Sequence, residues 1–199
     1  MSTQGEPKPS LRERKKAKTR ATIQKNAIRL FREQGYLATT VEQIAEVSEI
    51  SPSTFFRYFP TKESVVLEDD YDPLLIESYK QQPPELSPIQ ALRGAVREGL
   101  SKLTDVELET IRERVELSMK VPELRAASVI HLSESTHMIA NLVAERIGRD
   151  KSDVSVITFA GAVTGTISSI FFYCAQNPEA DFLKIIDDSL MLLEKGLSL

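Results

Sequence analysis

Residues 39–62 of this chain read TTVEQIAEVSEISPSTFFRYFPTK. Thr40 can cap a helix, with Gln43 three residues on to complete a reciprocal capping box. The helix it opens carries Val41, Ile44 and Ala45 at the i, i+3, i+4 spacing of one packed face. Ser48-Glu49-Ile50 then turns the chain. Ser51 can cap a second helix, and Pro52 fits its first position, where a missing N–H costs nothing. That helix runs through Ser53-Thr54-Phe55-Phe56-Arg57-Tyr58 until Phe59-Pro60 stops it, and Thr61 caps a third helix beginning at Lys62-Glu63. Two short helices joined by a tight turn, the second rich in hydroxyl, aromatic and guanidinium groups, make a helix-turn-helix able to read a major groove.

Helical period divides the second helix into two faces. Phe55 and Phe59 lie four apart and face a core that includes Ile44 and Leu30. The opposite face offers Ser53, Thr54, Phe56, Arg57 and Tyr58. Hydroxyls and aromatics there can meet thymine methyls and phosphates, and Arg57 can bond a phosphate or a guanine edge. Thr40 and Lys62 sit at helix N-termini, which favour anions such as phosphate. With Ser51 and Pro52 at the start of the second helix, these residues make up the expected contact set for double-stranded DNA.

In the order of a helix-closing Gly35, Thr39-Thr40, Ile44-Ala45, Ser51, Thr54-Phe55-Phe56-Arg57-Tyr58-Phe59 and Lys62-Glu63, the chain resembles the TetR family of bacterial transcriptional regulators. The likeness covers residues 20–67. It departs at Glu49 and Ser53, where glycine is common, and at Phe56, which stands where tyrosine is most frequent. A non-glycine residue in that turn predicts a strained or differently set backbone at Glu49. The resemblance implies an all-α chain with a three-helix DNA-binding domain followed by a larger helical domain. It further implies dimerisation through the last two long helices and an effector pocket between the middle ones. Residues 112–145 bear a looser likeness to regulators linked to mycofactocin or acyl-group metabolism.

Charge supports the division. The whole chain holds 25 basic and 29 acidic residues, but residues 1–62 hold 12 and 6, and residues 63–199 hold 13 and 23. The basic end coincides with the helix-turn-helix, where phosphates demand it, and an acidic remainder confines the contact to that end. Arg12, Arg14, Lys15, Lys16, Lys18 and Arg20 precede the first packed helix and form a candidate arm for phosphates or a minor groove. The single cysteine, Cys174, excludes an intrachain disulfide and is consistent with a cytoplasmic protein. Residues 1–22 are polar and basic and lack the apolar segment of a signal peptide.

The rest is helical by pattern, about nine helices in all. Residues 1–9 form a polar tail, 10–62 the DNA-binding domain and 63–199 the larger domain. A first helix from Ser10 to Gln34 buries Ile23, Ala27, Leu30 and Phe31. A linking helix from Ser64 to Tyr79 ends before Pro83-Pro84. Others run from Ser87-Pro88 to Leu103, from a Thr104/Glu107 capping box to Lys120, and from Pro122 to Ile147, closed by Gly148. Ser152 caps the next, which Asn177-Pro178 ends, and a last helix spans 180–195. The 22 residues of 154–175 carry no formal charge, enough to span a bilayer by length. Their six serines and threonines and the lack of a flanking basic cluster instead assign them to the centre of a bundle, with no membrane partner.

Gly161 and Gly165, four apart on that helix, permit close approach of a second helix. Together with Phe172 and the apolar Leu183, Ile186 and Leu190 of the last helix, they mark a homodimer interface. For the pocket implied by the resemblance, Met119, His131, Ser135, Met138, Thr158 and Phe159 supply an apolar wall with a few polar points. The expected effector is a small, mostly apolar molecule that releases a repressor from a palindromic operator. A constitutive DNA-binding protein without effector is the alternative. An enzyme on a helical bundle would need a catalytic constellation. No phosphate loop or nucleophile elbow is present, and His131 and His137 are six apart, not the four a zinc helix needs. No catalytic or metal-ligating residue and no cofactor are expected.

Overall fold

The computed structural model describes residues 10–68, 71–177 and 179–197. The expected tail at 1–9 lies outside them. Among the described residues there are ten α-helices and no strand. They are α1 (Leu11–Gln34), α2 (Val41–Val47), α3 (Pro52–Tyr58), α4 (Ser64–Leu67), α5 (Tyr71–Gln81), α6 (Pro88–Ser101), α7 (Asp105–Lys120), α8 (Pro122–Ile147), α9 (Val154–Gln176) and α10 (Phe182–Glu194). The chain divides into two compact units between Val66 and Leu67.

In the first unit, α1 buries Ile23, Ala27, Ile28, Leu30 and Phe31, and Ile44, Phe55 and Phe59 complete the core. The capping box of α2 is formed. The Gln43 amide donates to Thr40 Oγ1 at 3.2 Å, and the Thr40 amide donates to Gln43 Oε1 at 2.9 Å. Ser51 Oγ accepts the Thr54 amide at 3.1 Å, and Pro52 occupies the first turn of α3. Between the helices Glu49 adopts φ 55°, the left-handed region that costs a side chain with a Cβ.

In the second unit, α8 and α9 form an antiparallel hairpin whose turn begins at Gly148, φ 64°. Helix α6 packs on α5 and α10, while α7 packs on α8 and α9. The shared core joins Leu92 and Ala95 of α6 to Val143 of α8, Ala160 and Val163 of α9, and Leu190 of α10. An ion network fastens α6 to α10. Arg93 grips Asp187 with Nε at 3.1 Å and Nη2 at 3.2 Å, and its Nη1 donates to Glu194 Oε2 at 2.7 Å. Arg97 adds a second cation to Asp187 at 3.1 Å. Arg146 donates to the carbonyls of Leu86 and Pro83, closing the α5–α6 loop.

Three expectations change. The single helix from Ser64 to Tyr79 is two, α4 and α5, because Pro73 lacks an N–H and is tolerated only in a first turn, which is where α5 places it. The cap of α9 is Asp153, not Ser152. Asp153 Oδ1 accepts the Ser155 amide at 2.8 Å, and the Ser152 hydroxyl is turned to Asp150 at 2.6 Å. Nor is α9 enclosed all round. Val156, Ala160 and Val163 are buried, yet Val154, Ile157, Phe172 and Tyr173 are 77, 49, 47 and 53% exposed.

Replacing Glu49 by glycine removes the left-handed penalty, so Glu49→Gly is expected to raise stability by about 0.5–1 kcal/mol in denaturant unfolding. The hydrogen bonds from Arg93, then those from Arg97, hold the Asp187 carboxyl below its ordinary range. A depressed carboxylate contributes stability that is present at neutral pH and lost as pH falls through its folded value. Stability should therefore decline below about pH 4 less steeply in Asp187→Asn than in the wild type, as thermal unfolding at a series of pH values will show.

Candidate functional site

Helix α3 has seven residues and is held from behind. Phe55 and Phe59 are fully buried, their rings 5.9 Å apart. Arg20 of α1 donates to the Tyr58 carbonyl at 2.7 Å and lies over the Phe59 ring at 4.1 Å, which fixes the end of α3 against α1. Asn26 of α1 likewise donates to the Val47 carbonyl at 3.0 Å, fixing the end of α2.

The outward face is the one the pattern indicated. Ser51, Pro52, Ser53, Phe56 and Arg57 are exposed, and Thr54 and Tyr58 are half-buried. Phe56 is 51% exposed, its edge against the Phe55 ring at 5.4 Å, so it does not complete the core. The Arg57 guanidinium lies 5.6 Å from the Tyr58 ring centre. The hydroxyls of Ser53 and Thr54 each lie 2.9 Å from Ser51 Oγ, giving a polar cluster at the start of the helix.

Lys62 is placed differently from the other expected contacts. Its Nζ donates to the carbonyls of Tyr36 and Thr39 at 2.9 and 3.1 Å and sits 4.1 Å from the Tyr36 ring centre. Tyr36 in turn donates to Glu63 Oε1 at 2.8 Å. Burial would raise the Glu63 carboxyl, but backbone and side-chain hydrogen bonds and the Lys62 charge outweigh it and hold it low. Lys62 thus fastens the start of α4 to the segment that leads into Thr40. Spacing alone locates a lysine near a helix N-terminus and does not say what its ammonium meets.

The expected pocket residues are not gathered around one cavity. Met119, His131, Ser135 and Phe159 are half-buried and Thr158 is exposed, while Met138 lines an open groove with Ile76, Lys80 and His137. His131 Nδ1 lies 3.8 Å from Glu134, a surface contact. A cleft of about 260 Å³, partly open to solvent, lies elsewhere, between α7, the end of α9 and the start of α10. Leu108, Ile111 and Val115 form one wall and Phe171, Cys174 and Phe182 another. Burial raises the Cys174 thiol above its ordinary value. These residues come from three helices and a turn, and no single-helix pattern could group them.

On α9, Gly161 and Gly165 face outward, and a Cβ added at either meets nothing within 4 Å. Phe172 is exposed on the same helix and Leu183 is 37% exposed on α10. Ile186 and Leu190 are the exceptions in the expected interface. They are 4 and 0% exposed, because they are the side of α10 that packs on the chain's own α6 and α9.

Residues 23–68 match the family described as bacterial regulatory proteins, tetR family, and residues 86–198 match the MftR C-terminal domain. The chain belongs to the TetR family of transcriptional regulators. It is 33% identical to the HTH-type transcriptional regulator TcmR of Streptomyces glaucescens, over 92% of this chain and 85% of that protein. It is 28% identical to the mycofactocin biosynthesis regulator MftR of Mycobacterium tuberculosis, over 92 and 93% of the two chains. The crystal structure of Thermus thermophilus FadR, a TetR-family repressor in complex with lauroyl-CoA, superposes with a TM-score of 0.54 at 25% identity, covering 90% of this chain and 95% of that one. The family membership and the helix-turn-helix make this chain a DNA-binding transcription regulator, and its relatives are regulators rather than enzymes.

Lys62→Met removes two charge-assisted hydrogen bonds and a cation–π contact, and is expected to cost about 1–3 kcal/mol of stability. Arg57→Ala, on the solvent face, should change stability by less than about 0.5 kcal/mol. Denaturant unfolding of the two variants separates a fastening lysine from a surface arginine.

Proposed function

We propose that the chain is a cytoplasmic, homodimeric repressor that grips a palindromic operator and is released by a small, mostly apolar molecule. The observation that carries this reading is the pairing of two unused surfaces in one chain. One is the polar face of α3, with Ser53, Phe56 and Arg57 exposed. The other is the apolar face of α9, where Gly161 and Gly165 serve no packing need of the chain itself. One chain supplies one recognition helix, and two such helices must reach successive major grooves about 34–36 Å apart or a multiple of that distance. A two-fold dimer through α9 and the exposed edge of α10, with Phe172 and Leu183 at the contact, meets that need, and its operator is an inverted repeat. Ser51, Pro52, Thr54, Tyr58 and the α2 N-terminus at Thr40 complete the DNA face, with Arg57 as its principal cation. Lys62 acts there chiefly by fixing the segment before Thr40.

The exposed basic residues Arg12 to Lys18 stand on helix α1 rather than on an extended arm, which suits phosphate contacts beside the half-site. That Thermus thermophilus FadR is solved with lauroyl-CoA supports a ligand-responsive reading and an effector with an apolar part. The constitutive alternative draws on one observation, that this partly open cleft of about 260 Å³ lies just below the usual range for small-ligand sites. The two readings part on linkage, because an effector that weakens DNA binding must itself bind less well to the DNA complex.

Arg57→Ala should weaken operator binding by about 1–3 kcal/mol in gel-shift titration with helicity unchanged, and Gly165→Leu should abolish dimers in light scattering. A monomeric wild type that still binds an inverted repeat tightly would overturn the dimer. Compounds that raise the melting temperature should lower operator affinity in step; if none does, the constitutive reading stands instead.

A further inference from the structure

We infer that the cavity between α7, the end of α9 and the start of α10 is the effector site, and that it takes an uncharged, mostly apolar molecule offering one hydrogen-bond acceptor to Arg112. This rests on the ligand-responsive reading above and adds to it a place and a chemistry. The walls set the body of the ligand. Leu108, Ile111 and Val115 fall on one face of α7, opposite Phe171 and Phe182, whose rings stand 5.2 Å apart. The volume of about 260 Å³ holds on the order of ten non-hydrogen atoms, taking about 30 Å³ for each.

The charges set the rest. Arg112 reaches Glu109 at only 3.8 Å and the Ala180 carbonyl at only 3.5 Å, both at the long limit of a useful contact. A guanidinium carries five N–H donors, so Arg112 can give a better bond to an oxygen inside the cavity. Glu179 and Asp181 also line the site, so its formal charge is −1 and an anionic ligand is disfavoured. Asp181 is already engaged as the cap of α10, its Oδ1 accepting the Lys184 amide at 3.0 Å. A ketone, ester or similar neutral acceptor satisfies Arg112 without adding to the negative charge.

The place matters for release. Leu183 both lines the cavity and is 37% exposed on α10, and Phe171 of the wall adjoins the exposed Phe172 and Tyr173. An occupant therefore bears on Phe171 and Leu183, beside the surface proposed to meet the second copy.

Cys174 is the only thiol of the chain and stands in the cavity wall, so it reports occupancy directly. The test compares three probes of similar size, acetophenone, benzoate and ethylbenzene, for slowing of the reaction of Cys174 with a thiol reagent in the full-length protein. Acetophenone is expected to slow the reaction several-fold at millimolar concentration, ethylbenzene less and benzoate least. Ile111→Trp, which fills the cavity, should abolish the protection, and Ala175→Leu on the opposite wall serves if that variant does not fold. Arg112→Met should erase the advantage of acetophenone over ethylbenzene, about tenfold in the concentration giving half-protection if one charge-assisted hydrogen bond is lost. Equal protection by benzoate, no protection by acetophenone, or protection that survives both cavity-filling variants would overturn the assignment. Operator release by other compounds with Cys174 unprotected would overturn this site and leave the repressor reading standing. Protection without any change in operator affinity would uphold the site as a binding site and remove its role in release.

Discussion

The recognition helix depends on two phenylalanines. Helices α2 and α3 have seven residues each, well below the dozen or so at which an isolated helix becomes marginal in water. They persist because Phe55 and Phe59 are fully buried with Ile44 and Ala45 against α1, and because both N-termini are capped. Fixing those aromatics also fixes the opposite side of α3. The direction in which Arg57 points is therefore decided by what Phe55 and Phe59 are packed against. Arg20 and Asn26 complete the arrangement by taking the last carbonyls of α3 and α2.

Local chemistry made much of this legible in the chain. Thr40, Ser51 and Thr104 are caps because a hydroxyl can reach an amide three residues ahead whatever surrounds it, and all three do so. Gly148 ends α8 for an equally local reason, its left-handed φ. Glu49 shows that a tight turn can be read even where its residue is unfavourable. Pro73 is a local signal for the break in the linking helix, and Asp153 caps α9 in place of Ser152 because the Ser152 hydroxyl is held by Asp150.

What the chain did not disclose depends on tertiary neighbours. The apolar stripe of α10 shows that one face is buried, not whether the chain itself or a second copy buries it, and Ile186 and Leu190 go to the chain's own core. The cleft is lined from α7, α9 and α10 at once, so residues chosen from α8 such as His131, Ser135 and Met138 could not find it. The outward glycines of α9 were legible as small residues but not as exposed ones.

The inward commitments of the basic residues bear on how ions compete with DNA. Residues 1–62 carry 12 cationic side chains, yet Arg20 and Lys62 are turned onto backbone carbonyls and aromatic rings. Only a cation that neutralises a phosphate sets free a counterion condensed on the duplex, and each such contact contributes about 0.9 to the slope of log affinity against log salt. The formal charge of this unit therefore overcounts its counterion release, and its grip on DNA tolerates added salt better than its composition alone implies.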